Sequence, residues 1–169
     1  KESDYFAQPV LWAVTEGITN GTSAGRFSPE RTCTRGQIVT FLWRTAGCPD
    51  PIETENPFTD ISADAYYYKA VLWAYENGIT TGISSNKFNP AGVTNRAEAV
   101  TFLWRAMGKP DSAISNDFDD VVAGAWYEAP INWAVEQGVT EGISESEFGV
   151  GQNCIRAHMV TFMYRAMAN

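Results

Sequence analysis

The sequence predicts an all-α fold: three helix-loop-helix repeats in a pseudo-threefold arrangement around a central three-helix bundle. Three observations lead there. A period of about sixty residues runs the length of the chain, apolar residues within each period follow helical spacing, and glycines and capping side chains recur at matching places.

The period is read most directly from Trp12, Trp73 and Trp133, which are 61 and 60 residues apart. The same offsets superpose Gly17, Gly78 and Gly138; Gly21, Gly82 and Gly142; Phe27, Phe88 and Phe148; Arg35, Arg96 and Arg156; and Arg44, Arg105 and Arg165. They define copies at 1–47, 58–108 and 118–169 within one domain spanning 1–169. Proline-rich and polar linkers, Gly47 to Pro57 and Gly108 to Asp117, separate the copies. After each linker stands an opener, Phe58-Thr59-Asp60-Ile61 or Phe118-Asp119-Asp120-Val121. Lys1 aligns with Ser62, so the first copy's opener would precede Lys1, and the first copy is expected to be N-terminally truncated.

The first helix of each copy carries Val10, Leu11 and Val14, then Val71, Leu72 and Tyr75, then Ile131 and Val135. It ends at Gly17, Gly78 or Gly138, where a left-handed C-terminal cap favours a residue without Cβ. A second glycine turns the chain, and Phe27-Ser28-Pro29 or Phe88-Asn89-Pro90 plugs a ring into the core; the third copy has Phe148-Gly149-Val150. The second helix opens at Thr34 or Asn95, with Gln37 or Glu98 completing a capping box. Ile155 and His158 occupy those places in the third copy, which leaves Asn153 or backbone geometry to supply the cap. A lone sixty-residue copy buries too little apolar surface to stand by itself, which favours a core shared by all three.

Composition excludes several functions. Twelve Lys and Arg against twenty Asp and Glu give a net charge of −8, contrary to the basic face that nucleic acid requires. No apolar run approaches the roughly 18 residues of a membrane span, so membrane insertion is not expected. Cys33, Cys48 and Cys154 form no C-x-x-C pair and His158 is the single histidine, so neither a zinc site nor another cofactor is expected. Cys33 and Cys154 are read as small buried side chains, and Cys48 as an exposed thiol. Asp117, Asp119 and Glu128 match three places of a calcium loop, but Val122 stands where that loop requires glycine. An enzyme needs unlike groups held together, whereas nearly every notable residue here has a counterpart one period away. His158, the exception, has no nucleophile motif beside it. The chain is therefore read as non-catalytic.

The aromatic-Asp opener, the pairs Tyr66-Tyr67 and Trp126-Tyr127, the Gly-Ile-Thr-x-Gly turn, Phe-x-Pro, and a Thr-Arg-Ala-Glu-like tetrad before Phe-Leu-Trp-Arg together resemble the S-layer homology (SLH) family across essentially the whole chain. The resemblance implies a pseudo-trimeric helical module that anchors a bacterial surface protein to secondary cell-wall polysaccharide, commonly one bearing pyruvylated N-acetylmannosamine. It places the chain outside the cell, at the wall or S-layer, with further domains in the same polypeptide. The tetrad departs from the family form, being Thr34-Arg35-Gly36-Gln37, Asn95-Arg96-Ala97-Glu98 and Ile155-Arg156-Ala157-His158, with arginine kept in all three. A protein-interaction module on the same scaffold is the alternative.

The candidate ligand-binding residues are Arg96, Arg35 and Arg156, followed by Tyr66 and Trp126, with Tyr5 their counterpart. An arginine in the first turn opposes the helix dipole, and three such placements suggest an anion that takes the guanidinium together with backbone N–H groups. The competing explanation is an ion pair with an acid of a neighbouring copy. Gln37 and Glu98 are assigned to capping, and Trp12, Trp73 and Trp133 to the core. Copy two keeps the tetrad nearest the family form, so Arg96 is expected to matter most to binding. Arg96→Ala is further expected to leave the melting temperature nearly unchanged.

Overall fold

The computed structural model of the chain describes residues 4–52 and 55–168. Among these, regular structure consists of six helices: α1 (Ala7–Thr15), α2 (Arg35–Thr45), α3 (Tyr68–Glu76), α4 (Arg96–Ala106), α5 (Glu128–Glu136) and α6 (Arg156–Met167). Only isolated β-bridges join the loops between them. The all-α expectation is met.

Local chemistry sets the helix ends. Capping boxes form at both expected places: Gln37 N–H donates to Thr34 Oγ1 and Glu98 N–H to Asn95 Oδ1, with the reciprocal side-chain bonds present. α6 starts at Ile155 without a side-chain cap. Its first donors go instead to the first unit's loop, Arg156 N–H to Arg31 O at 2.8 Å and Ala157 N–H to Pro29 O at 3.0 Å. The odd-numbered helices end at Gly17, Gly78 and Gly138 with φ of 70°, 66° and 66°, the left-handed cap that their spacing requires. The Phe-x-Pro element has a feature that its proline does not signal. The middle residue is itself left-handed, with Ser28 at φ 57°, Asn89 at 60° and Gly149 at 81°, so the glycine of the third copy is the least strained choice there.

The two helices of one unit take their main partners elsewhere. α3 packs against α2 of the preceding unit, α5 against α4, and α1 against α6, while α4 also meets α2 and α6. The contacts therefore close on themselves, with the last unit returning to the first. At the helix starts, Thr94 N–H donates to Cys33 O, Cys154 N–H to Thr94 O and Cys33 N–H to Cys154 O, a closed ring of three backbone bonds of 2.8–3.1 Å. Cys33, Thr94 and Cys154 are fully buried around it. Both cysteines are free, as is the exposed Cys48, and burial raises Cys33 to about 12 and Cys154 well above its usual value.

The core is apolar and aromatic. Phe58, Phe88 and Phe148 are essentially fully buried, and Val39, Val100 and Val160 line the second helices. Trp133 is buried, while Trp12 and Trp73 pack against the core at intermediate exposure. One expectation needs correction. In the first copy, Leu11 and Val14 were assigned to the buried stripe of α1, yet they are 59% and 48% exposed. Leu72, the counterpart of Leu11, is 4% exposed, whereas Tyr75, the counterpart of Val14, is itself 43% exposed. α1 buries Pro9 and Ala13 instead.

Because helix partners lie in neighbouring units, residues 1–169 are expected to unfold in one transition, with far-ultraviolet circular dichroism and tryptophan fluorescence giving the same midpoint. The excised segment 58–108, separated from α2 and α5, should show little stable helix in the same measurement. Separable transitions, or a folded 58–108 peptide, would contradict the shared core.

Candidate functional site: three grooves between units

Each first-turn arginine reaches across a seam into the next unit. Arg35 Nε donates to Phe88 O at 2.9 Å, Arg96 Nε to Phe148 O at 3.0 Å and Arg156 Nε to Phe27 O at 2.9 Å, so the clasps run in the same cyclic sense as the helix packing. Every guanidinium also lies over two phenylalanine rings: Phe88 and Phe102 for Arg35, Phe148 and Phe162 for Arg96, Phe27 and Phe41 for Arg156. Arg96 and Arg156 add a longer bond of 3.3 Å to Thr140 and Thr19. All three residues are at most 6% exposed, and burial draws their pKa values down from the ordinary arginine value.

The last-turn arginines work differently from a plain dipole partner. Arg44, Arg105 and Arg165 donate to Ile18 O, Ile79 O and Val139 O at 3.0–3.2 Å, which pins the turn that follows the first helix of their own unit. In that turn Thr19, Thr80 and Thr140 accept from the N–H of Gly21, Gly82 and Gly142. Added Cβ atoms at these three glycines would meet the carbonyls of Arg26, Lys87 and Glu147 at 2.3–2.7 Å, so the turn tolerates glycine alone.

Where the two kinds of arginine approach, grooves open. The first, of about 300 Å³, is lined by Gln37, Thr40, Arg44 and Arg31 of the first unit, Tyr66 of the second and Arg156 of the third. The second, of about 170 Å³, gathers Thr80, Glu98, Thr101 and Arg105 with Arg35 and Trp126. The third, of about 300 Å³, holds His158, Thr161 and Arg165 with Arg96 and Tyr5. Tyr5, Tyr66 and Trp126 remain 57%, 59% and 56% exposed, leaving ring surface open to solvent.

Every candidate residue thus lines a groove, but the grouping differs from the sequence order. Arg96 does not share a groove with its own Glu98. That carboxylate faces Arg35, 3.6 Å from Nη1, and supplies the cross-unit ion pair that was the competing explanation for a first-turn arginine. Two further expectations fall. The helix-start N–H groups are not free for an anion: Arg35 N–H goes to Gly92 O, Gly36 N–H to Pro90 O and Arg96 N–H to Gln152 O. Nor is Arg96 peripheral to the core. Sequence reasoning missed the threonines at 40, 101 and 161, whose signal was their constant place one residue before the conserved-position Phe of the second helix.

The third groove is chemically distinct. Among the described residues His158 Nδ1 and Thr161 Oγ1 have no hydrogen-bond partner, whereas Thr40 and Thr101 donate to Gly36 O and Ala97 O. His158 stacks on Phe162 with centroids 6.3 Å apart, and Tyr5 lies at 6.5 Å on a tilted plane. Burial, and then the charge of Arg96, lower its pKa from 6.5 to about 4.

Two predictions rest on this geometry. Arg96→Ala removes a buried guanidinium and leaves Phe148 O without its partner, so the melting midpoint should fall by at least about 5 °C in thermal unfolding. An unchanged midpoint would show that the clasp contributes nothing. For His158, the folded protein holds the neutral imidazole while the unfolded chain protonates near 6.5. Its contribution to stability is present above 6.5 and is lost as pH falls towards about 4. His158→Gln should flatten that part of the stability profile in chemical denaturation at a series of pH values, and an identical slope in both proteins would refute the assignment.

Comparison with known proteins places these grooves in context. The family model described as "S-layer homology domain" matches residues 1–39, 57–100 and 117–160. The chain is 31% identical over 143 residues to a surface-layer 125 kDa protein of Lysinibacillus sphaericus, covering 84% of this chain and 12% of that protein. It is 29% identical over 110 residues to an endoglucanase of Bacillus sp. (strain KSM-635), covering 65% of this chain and 12% of the enzyme. It is also 21% identical over 158 residues to a cellulosome-anchoring protein of Acetivibrio thermocellus, covering 90% of this chain and 33% of that protein. The chain thus spans from about an eighth to a third of these relatives. The enzyme among them is matched over a small part of its length, in keeping with a module that is itself non-catalytic and belongs at the cell surface. With three family matches that cover most of its length, the chain belongs to the S-layer homology domain family.

Proposed function

We propose that the chain anchors its polypeptide non-covalently to secondary cell-wall polysaccharide, taking acidic sugar units such as pyruvylated ones in the grooves between units. One observation supports this above the rest. Each groove joins arginines from two units, a threonine hydroxyl and a half-open aromatic ring, which matches a sugar with an apolar face, hydroxyls and a carboxylate. The net charge of −8 does not oppose it, since charges beyond about 8 Å are screened at physiological salt and the arginines act locally.

The grooves are unequal. Glu98 offsets Arg35 in the second, while among the described residues no carboxylate lines the third, where Arg96 and Arg165 stand with two polar atoms that have no partner among those residues. Arg96 is accordingly the contact expected to contribute most, with Tyr5 beside it; Arg156 and Tyr66 serve the first groove, and Arg35 and Trp126 the second.

Co-sedimentation with purified wall sacculi tests the function. Binding should disappear once the polysaccharide is extracted, and undiminished binding to stripped peptidoglycan, or none to native walls, would favour a protein partner. Glu98→Gln tests the ranking without dismantling the fold, because Gln37 shows that glutamine completes the same capping box. Removing that charge should raise affinity for the extracted polymer by roughly threefold or more. An unchanged or weaker affinity would mean that the second groove is not limited by its carboxylate.

A further inference from the structure

The units meet at Cys33, Thr94 and Cys154, and the seams that these residues span are not alike. The linkers at 47–57 and 108–117 already tie the first unit to the second and the second to the third. Among the described residues the seam of the third unit against the first is held by non-covalent contacts: α1 on α6, the Arg156 clasp and the bond from Cys33 N–H to Cys154 O. Cysteine occupies the two ring positions that face each other across this seam, and Thr94 stands where both neighbouring seams are tied by the chain.

The pairing across the seam has the register of a cross-strand disulfide. Thr32 and Ile155 form an antiparallel bridge, framed by Cys33 N–H to Cys154 O and Arg156 N–H to Arg31 O, each at 2.8 Å. One step on from that bridge Cys33 and Cys154 stand opposite each other, so their side chains leave the same face. Opposite residues joined by such a bond lie roughly 5.5 Å apart at Cα, inside the span of about 4.4–6.8 Å that a disulfide bridges. Both side chains are fully buried and are thiols in this structure, while Cys48 is an exposed thiol in a linker.

We propose that Cys33 and Cys154 are joined by a disulfide in the protein at the cell surface, a covalent tie across the one seam that no linker crosses. The compartment outside the cell permits such bonds. The oxidant is a small external disulfide. One cysteine thiolate attacks it, forms a mixed disulfide and expels a small thiolate; the second cysteine thiolate then attacks the protein sulfur of that mixed disulfide and expels the other. Two protons and two electrons leave the cysteines, and the small disulfide departs as two thiols. Burial in the closed ring raises Cys33 to about 12 and Cys154 well above its usual value, and shuts out the oxidant, so the bond forms before the third unit docks on the first. The two cysteines are 121 residues apart, so the bond removes much freedom from the unfolded chain.

The test uses the full chain carrying Cys48→Ser, refolded from denaturant once with oxidised and reduced glutathione and once with excess dithiothreitol. After alkylation under denaturing conditions, peptide mass mapping should find no alkylated cysteine in the first sample, with residues 33 and 154 in one linked pair of peptides. The second sample should carry two alkylated cysteines. The linked form should unfold at a midpoint roughly 5 °C or more above the reduced form. Two alkylated cysteines after oxidative refolding, a glutathione adduct in place of the bond, or a midpoint no higher in the linked form would each overturn the proposal.

Discussion

The structure depends on how the starts of α2, α4 and α6 are closed. A helix N-terminus leaves four backbone donors without partners, and three such ends meeting in a buried centre would be untenable if left open. Here each end is closed by the following unit. The ring of bonds through Cys33, Thr94 and Cys154 joins the chain just ahead of the helices, and the loop carbonyls of Gly92, Gln152 and Arg31 receive their first N–H groups. No unit completes itself, and the third closes on the first.

The arginine at each helix start is the side-chain counterpart of that closure. Its position opposes the helix dipole by about 0.3–1 kcal/mol. A bond from a charged donor contributes about 1.5–3 kcal/mol, and stacking on aromatic faces adds about 0.5–2 kcal/mol per favourable contact. The clasp therefore outweighs the dipole term, and desolvation of the guanidinium is the larger opposing effect. Arginine suits the role where lysine would not: Nε donates to a carbonyl while the guanidinium lies over two rings, and the group stays charged despite the downward pull of burial.

Much of this architecture was legible because it is local and repeated. Caps at Thr34 and Asn95, left-handed glycines after α1, α3 and α5, and buried phenylalanines all follow from spacing. What was not legible is which unit each helix touches. Periodicity identifies the apolar face of α3 but carries no record that the face belongs to α2, nor that Glu98, read correctly as a capping residue, also faces Arg35 of the preceding unit. Leu11 and Val14 show the same limit. Their helical spacing is sound, but spacing does not record which apolar positions find a covering neighbour, and both stay largely exposed.

The seam also explains how one residue type serves both folding and recognition. Of the five donors of a guanidinium, Arg96 engages Nε and one Nη2 proton with Phe148 O and Thr140, and its remaining Nη donors border the third groove. Its bonds to Phe148 O and Thr140 and the two rings it lies over have already restricted its rotamers on folding, part of a side-chain entropy of roughly 2 kcal/mol that a ligand then need not offset. The third capping position becomes the natural place to vary such a site. Gln37, Glu98 and His158 occupy it in turn, at the start of a helix whose backbone is already held by the neighbouring unit. A change there alters the charge and the free donors of one groove while the ring that supports all three stays in place. The loss of the capping box at Ile155 and His158 illustrates the point: α6 keeps its start because Arg31 O and Pro29 O secure it, and the side chain at 158 is released from capping to face the groove.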